Sequence, residues 1–284
     1  ISSDIHRELR LRVQSWWVMA VIFSVAIGMS RIVSLVFFAF VSFLALKEYL
    51  SLIPTRRVDR QVIFWAYLTI PIQYVLIGNE QYGMFLLVVP VYAFLLLPMR
   101  MVLAGDTHNF LRAAGTLHWG LMAMVFAIGH VAYLMVLPGT VDPTAGNAGA
   151  TGSGLVLYLV FLTQFNDIAQ YLFGKLFGRH KVVPKVSPGK TVEGLIGGLV
   201  TTTLLGWLLG GWLTPHNPWQ SALAGLIIGA AGFVGDVTIS ALKRDLGVKD
   251  SGSLLPGHGG ILDRVDSLIY TAPLFFHYTR FIHF

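Results

Sequence analysis

The chain has no cysteine and few charged residues. Of its 284 residues, only 12% are charged, whereas about 25% is usual for a soluble domain. The absence of cysteine excludes disulfide bonds and thiolate metal sites, and it leaves the redox compartment undetermined. In place of charge, 55% of the residues are hydrophobic and the mean hydropathy is +0.69. This composition, arranged in long apolar runs, predicts an all-α, polytopic integral membrane protein.

Nine apolar segments are candidates to span the membrane. They are residues 15–30, 32–53, 62–78, 82–99, 116–136, 154–173, 192–213, 219–243 and 262–282. Basic residues precede the first segment, as in a signal peptide, but no small-residue cleavage site follows it, so we expect a retained helix. We expect one integral membrane domain over residues 1–284. Residues 1–153 form its scaffold, and residues 154–284, where polar groups concentrate, form its catalytic part.

The basic residues lie almost entirely on one side of these segments. If the N-terminus is cytoplasmic, every Lys and Arg except Arg31 and Arg280 falls in a cytoplasmic loop or in a helix end facing it. The positive-inside rule therefore predicts a cytoplasmic N-terminus, an exterior C-terminus and a multi-pass protein of the cell (inner) membrane. The net charge of +6 then indicates contact with anionic lipid and phosphate, not with nucleic acid.

The densest cluster of charge lies between residues 240 and 266, where apolar segments enclose eight charged residues and a histidine. Ionisable groups near hydrocarbon depth cost at least ~2–3 kcal/mol each and usually mark a functional site. Lys and Arg can hold phosphate oxygens, carboxylates can hold a hard divalent cation, and glycine turns let backbone approach a ligand. The cluster therefore predicts a site for a metal–polyphosphate complex. The alternative is that its carboxylates only pair with neighbouring Lys and Arg at an interfacial helix end.

Helical spacing predicts which side chains of this cluster act together. Asp236, Ser240 and Lys243 are spaced i, i+4 and i+7, so they share one face of a helix. Asp263 and Asp266 are spaced i, i+3 at the start of the last segment, where the helix dipole favours a carboxylate. A glycine-rich turn can fold the two helices together. We therefore expect Asp236 and Asp263 to share a Mg²⁺, which commonly needs only one or two protein carboxylates beside substrate phosphates.

A second group of polar residues lies in the preceding cytoplasmic loop. Asp167 lies within the sixth segment, and Ser187 and Lys190 stand where the chain re-enters the membrane, at a helix N-terminus suited to anions. The triplet Gly189-Lys190-Thr191 is similar to the end of a Walker A loop, but the upstream glycine and strand are missing, which excludes a P-loop. Topology alone can explain several of the lysines in this loop.

The segment from residue 240 to residue 266 resembles the signature of the phosphatidate cytidylyltransferase (CDP-diacylglycerol synthase) family. That signature is Ser-x-apolar-Lys-Arg, four residues, Lys-Asp, then a loop ending in His-Gly-Gly-apolar-x-Asp-Arg-apolar-Asp. Its fixed positions are present as Ser240, Lys243, Arg244, Lys249, Asp250, His258, Gly259, Gly260, Asp263, Arg264 and Asp266. Residues 187–194 are similar to a second family stretch, with departures at Gly189, where lysine is common, and Val192, where tryptophan is common. The resemblance covers roughly residues 160–270.

The resemblance implies that the cytidylyl group of CTP is transferred to phosphatidic acid, giving CDP-diacylglycerol and pyrophosphate. With this reaction, Mg²⁺ is assigned to Asp236 and Asp263. Asp250 and Asp266 are expected to support these two ligands and are the candidates for holding a second cation. Neutralisation of the phosphates is assigned to Lys243, Arg244, Lys249 and Arg264. The other expected substrate contacts are Asp167, Ser187, Lys190, Ser240, His258, Gly259 and Gly260. The role of His258 stays open between a hydrogen bond within the turn and a contact with pyrophosphate.

Two other functions fit parts of the pattern. A CTP-dependent lipid kinase would transfer the γ-phosphoryl group to a lipid alcohol, and it would need a base near that hydroxyl. The match to the cytidylyltransferase signature argues against it. A transporter would place charges at the midplane on several helices, whereas only Asp167 and Asp236 lie deeper here, and no internal repeat is evident.

The eighth segment carries glycines at helical spacing, among them Gly225 and Gly229. Small residues three or four positions apart let two helices approach closely. The contact can lie within one chain or across a homodimer, and we expect internal packing.

The expected orientation can be tested by labelling introduced cysteines. A cysteine placed within residues 138–154 should react with an impermeant maleimide in intact cells. A Lys181→Cys variant should react only after the membrane is opened. Because the chain has no cysteine, all labelling reports the introduced residue. The reverse pattern would place the charged cluster out of reach of cytoplasmic CTP and contradict the orientation.

Overall fold

A computed structural model describes residues 2–53, 60–105, 107–137, 151–252 and 259–284, leaving aside the side chains of residues 2–9, 11 and 12. These ranges are helical almost throughout, and Lys181 and Thr191 form an isolated bridge between extended segments of backbone. Within the described ranges, seven helices are long and apolar enough to cross a membrane. The expected all-α, multi-pass membrane class is confirmed.

The helices of the described ranges follow the predicted segments closely. They are α1 (Ser2–Met29), α2 (Arg31–Leu52), α3 (Arg60–Gly78), α4 (Tyr82–Leu87), α5 (Phe94–Leu103), α6 (Phe110–Leu121), α7 (Ile128–Leu134), α8 (Gly152–Phe177), α9 (Val192–Leu213), α10 (Pro218–Asp245), α11 (Leu262–Val265) and α12 (Leu268–His283). π-helical segments, Val88–Ala93 and Met122–Ala127, make α4 continuous with α5 and α6 continuous with α7. The first π segment contains Pro90, which lacks an N–H for the regular helical ladder.

The last predicted segment is wrong at its beginning, because the chain does not form one helix over residues 262–282. The short α11 ends at Val265, and α12 begins at Leu268. Between them the N–H of Ser267 donates to Oδ1 of Asp266 at 2.7 Å. A carboxylate that binds the neighbouring backbone in this way competes with the helical hydrogen bonds. Asp263 therefore lies in α11 and Asp266 in the turn, instead of on one helix face.

The chain forms two compact units, and the first comprises Ile1–Ala132 with Val248–Val265. Within it, α2 packs against α3 through buried polar contacts as well as apolar ones. The hydroxyl of Tyr74 donates to the carbonyl of Phe38 at 2.8 Å and lies 2.7 Å from the hydroxyl of Ser42. The hydroxyl of Tyr49 donates to the carbonyl of Thr116 at 2.7 Å. These bonds satisfy polar groups that would otherwise be costly to bury in an apolar interior.

The second unit comprises Tyr133–Gly247 with Asp266–Phe284, and it contains α8, α9, α10 and α12. Glycines allow α9 and α10 to approach closely. A Cβ at Gly225 would overlap the carbonyl of Thr202, and a Cβ at Gly229 would overlap its hydroxyl. At Gly206 a Cβ would lie 2.8 Å from the carbonyl of Ser221. The glycine pair of the eighth segment therefore packs within the chain, as expected.

Candidate functional site

The loop between α8 and α9 is held by hydrogen bonds at both of its ends. Thr191 caps α9, because its Oγ1 accepts the N–H of Gly194 at 3.1 Å. The carboxylate of Glu193 accepts the backbone N–H of Arg179 at 3.0 Å and lies 2.7 Å from Nδ1 of His180. The N–H of Lys190 donates to the carbonyl of Ser187 at 3.1 Å. The turn expected over residues 187–190 is thus present and fixed against the start of α9.

Lys190 forms the main ionic contact of the second unit. Its Nζ lies 2.5 Å from Oδ2 of Asp236 in α10 and donates to Oε1 of Gln170 in α8 at 2.9 Å. The ammonium also lies over the ring of Phe233, 5.9 Å from its centroid. The side chains of Lys190 and Asp236 are 18% and 23% exposed. Lys190 is therefore a largely buried counter-ion that joins the loop to two helices.

Three aspartates of the second unit lie close enough for their charges to act on one another. Burial, together with the charges of Asp236 and Asp167, raises the pKa of Asp266 to about 8. The hydroxyl of Ser240 donates to Asp236 at 3.3 Å, as the i, i+4 spacing predicted, and that of Ser267 donates to Asp167 at 3.2 Å. Like charges and burial both disfavour the ionised carboxylate, and in this group the effect falls on Asp266.

The basic end of α10 reaches the same loop. Nε of Arg244 donates to the carbonyl of Val186 at 3.3 Å, next to Ser187. The charge of Lys243 acts on Asp266 and opposes the rise of its pKa. The second unit therefore brings together the carboxylates and cations that the sequence assigned to α8, α10 and the intervening loop.

Asp263 lies in the first unit, where three donors converge on one of its oxygens. Oδ2 accepts the N–H of Ser251 at 3.0 Å, its hydroxyl at 2.9 Å and the N–H of Gly260 at 3.2 Å. Gly259 has a left-handed φ of +75°, and a Cβ there would lie 2.7 Å from the same oxygen. These two constraints explain why glycine stands at residue 259.

The remaining predicted residues of the first unit differ in their surroundings. Lys249 and Asp250 are exposed, whereas within the described residues the buried Nε of Arg264 has no hydrogen-bond partner. A buried guanidinium donor of this kind is suited to a phosphate oxygen. His258 lies outside the described residues. Its role therefore stays open between a hydrogen bond within the turn and a contact with pyrophosphate.

Glu48, near the end of α2, is a residue of the site that the sequence predictions do not include. Its carboxylate accepts the N–H of Ile261 at 2.8 Å, the N–H of Leu262 at 3.2 Å and the hydroxyl of Ser251. The available signal was a single acidic residue within the otherwise apolar segment 32–53. An ionisable group in such a segment is a functional candidate by default.

The donor chemistry fits a Mg²⁺ that arrives with a nucleotide. Across the described ranges, no three His, Asp or Glu side chains are grouped so as to hold a metal ion by themselves. Mg²⁺ does not require such a cage, since one or two carboxylates and substrate phosphates complete its shell. Asp236 and Asp263 belong to different units, and their sharing of one ion stays a prediction.

Comparison with known proteins agrees with the signature residues. The model of the cytidylyltransferase family matches residues 10–282. The uncharacterized protein YnbB of Escherichia coli (strain K12) is 51% identical over 274 residues, covering 96% of this chain and 88% of that protein. A phosphatidate cytidylyltransferase of Synechocystis is 49% identical over 114 residues, covering 39% of this chain and 38% of its own length. A phosphatidate cytidylyltransferase of Mycobacterium leprae is 37% identical over 174 residues, covering 61% of this chain and 52% of its own length.

This chain thus spans only about half or less of the two phosphatidate cytidylyltransferases, but nearly all of YnbB and of the family model. The region shared with the M. leprae enzyme covers 61% of this chain. The match over residues 10–282 includes both groups of charged residues described above. The chain is a nucleotidyltransferase and belongs to the cytidylyltransferase family.

Proposed function

We propose that this protein transfers the cytidylyl group of CTP to phosphatidic acid, giving CDP-diacylglycerol and pyrophosphate for phospholipid synthesis. The observation that carries the proposal is the paired Lys190 and Asp236, with Asp167 and Asp266 nearby. Partly buried cations and carboxylates on spanning helices suit a metal–nucleotide and an anionic lipid headgroup. With the expected topology, the reaction takes place at the cytoplasmic face of the cell (inner) membrane.

The transfer needs no covalent intermediate on the protein. A phosphate oxygen of phosphatidic acid attacks the α-phosphorus of CTP, the bond from that phosphorus to the bridging oxygen breaks, and pyrophosphate leaves with the electron pair. The attacking phosphate is already ionised at neutral pH, because the second pKa of a phosphate monoester is about 6. A general base is therefore unnecessary. Catalysis consists of positioning the reactants and neutralising their charge.

The basic residues supply most of this neutralisation. Lys243 and Arg244 lie at the end of α10, close to the loop that carries Ser187 and Lys190. In the first unit, Nε of Arg264, which has no hydrogen-bond partner among the described residues, is available to a phosphate oxygen, and the exposed Lys249 can contact another.

Asp236 and Asp263 would hold Mg²⁺, which supplies further neutralisation of the triphosphate and the leaving pyrophosphate. Lys190 holds only Oδ2 of Asp236, so a divalent cation on this carboxylate would either use Oδ1 or displace the ammonium. A displaced ammonium would be available to a phosphate. Asp250 and Asp266 are the candidates for supporting a second cation.

One assay separates this function from a lipid kinase and from a transporter. Membranes containing the protein receive phosphatidic acid, Mg²⁺ and CTP labelled in the cytosine ring. We expect label in the lipid extract and release of pyrophosphate. Release of labelled CDP with phosphorylation of an added lipid alcohol would identify a kinase. Uptake of an unmodified solute without chemical change would identify a transporter, and either result would overturn the proposal.

Replacement of either proposed Mg²⁺ ligand should nearly abolish transfer. Asp236→Asn and Asp263→Asn each remove a negative charge and leave the side-chain size almost unchanged. We expect a loss of more than about ten-fold in turnover, or roughly 1.4 kcal/mol of barrier, with membrane insertion intact. Asp245→Asn, at the exposed end of α10, is the matched control and should stay active. Turnover above about a tenth of wild type in either variant would refute the assignment.

Lys190 should contribute to recognition of the nucleotide. Lys190→Ala removes a charge-assisted contact worth ~1.5–3 kcal/mol, so kcat/KM for CTP should fall by about 10–150-fold. Lys190→Arg should restore only part of this loss, because a planar guanidinium does not replace a compact ammonium. Lys185→Ala, in the same loop but exposed, is the control. If only the KM for phosphatidic acid rises, the turn binds the lipid headgroup instead.

A further inference from the structure

Glu48 connects the predicted scaffold to the loop of the family signature over residues 251–261, called the signature loop below. It lies near the end of α2, and its three donors are more than 200 positions later in the chain: Ser251, Ile261 and Leu262. Both carboxylate oxygens are engaged, Oε2 by the N–H of Ile261 and Oε1 by the other two donors. A carboxylate that accepts several such donors fixes the backbone that carries them.

Two glycines allow the backbone to approach this carboxylate. A Cβ at Gly252 would lie 3.1 Å from Cδ of Glu48, and a Cβ at Gly260 would overlap Oε1. Gly252 and Gly260 flank the part of the signature loop outside the described residues. Glu48 therefore contacts the loop on both sides of that part.

The same contacts lead directly to Asp263. Ser251 is 3% exposed, and its hydroxyl lies against both Glu48 and Oδ2 of Asp263. The N–H of Gly260 also donates to Asp263, while the N–H groups of the next two residues donate to Glu48. A displacement of this backbone would therefore move the donors that orient Asp263.

We propose that Glu48 is a positioning residue for cytidylyl transfer. It holds residues 251–252 and 260–262 in the arrangement that orients Asp263 and the adjacent Arg264. The inference rests on the proposed function only for the role of Asp263, since the hydrogen bonds of Glu48 are independent of it. α2 thereby contributes to the site, although the sequence assigns it to the scaffold.

The contacts require a carboxylate at residue 48. A glutamine keeps one acceptor oxygen, but its NH₂ group would face a backbone N–H and could not accept from it. Aspartate keeps both acceptor oxygens on a side chain one methylene shorter. Glu48→Asp should therefore recover part of what Glu48→Gln loses.

The test measures loop protection and kinetics on the full-length protein in lipid nanodiscs. Hydrogen–deuterium exchange is followed at Ile261 and Leu262, with the interior amides of α9 as an internal reference. In Glu48→Gln we expect faster exchange at the two loop amides and unchanged exchange in α9. We also expect a fall in kcat of about 10–100-fold, the usual range for groups that orient metal ligands, partly restored in Glu48→Asp. Lys47→Gln, at the neighbouring exposed position of α2, should change neither quantity.

Each other outcome overturns the proposal. Unchanged loop exchange in Glu48→Gln would mean that Glu48 does not hold the loop. Faster loop exchange with kcat within about three-fold of wild type, well below the usual loss for an orienting group, would remove its role in the reaction. Faster exchange in α9 as well would indicate a general loss of stability. If wild-type protein forms no CDP-diacylglycerol, the proposed function fails, and the exchange data still show whether Glu48 holds the loop.

Discussion

The 2.5 Å contact between Lys190 and Asp236 is the interaction on which the second unit depends. Burial and the charges of Asp236 and Asp167 raise the pKa of nearby Asp266 to about 8. The carboxylate of Asp236 needs a counter-ion in such surroundings, because burial penalises its charged form. The neighbouring features place the ammonium of Lys190 beside the carboxylate of Asp236. Thr191 caps α9, Glu193 fixes the loop, and glycines bring α9 against α10.

Glu48 and Asp263 of the first unit are satisfied differently, through backbone N–H groups and one serine hydroxyl. Glu48 and Asp263 together bind the N–H groups of Gly260, Ile261 and Leu262, and both contact the hydroxyl of Ser251. Hydrogen bonds to a charged acceptor are stronger than neutral ones. They hold the described backbone on both sides of residues 253–258 close to the two carboxylates. Gly259 and Gly260 thus leave room for the carboxylates of Asp263 and Glu48.

Local spacing was sufficient to predict much of the fold and part of the site. Segment 192–213 coincides with α9, the i, i+4 spacing places Ser240 against Asp236, and residues 187–190 form the expected turn. Contacts between distant segments leave no periodic signal, so the partners of Lys190 and the role of Glu48 could not be read. The break before α12 also escaped prediction, because it depends on a hydrogen bond from Ser267 to Asp266 that hydropathy does not register.

The central claim is that the charged residues position the phosphate of phosphatidic acid and the triphosphate of CTP and neutralise their charge. The phosphate of phosphatidic acid then displaces pyrophosphate directly from the α-phosphorus of CTP. The stereochemistry at the α-phosphorus tests this claim most directly. Purified protein would be given phosphatidic acid and CTP carrying a single chiral sulfur substitution at that phosphorus, and the configuration of the lipid product would be determined. Direct in-line transfer predicts inversion of configuration. Retention would show two successive displacements through a covalent enzyme intermediate, and it would contradict this account.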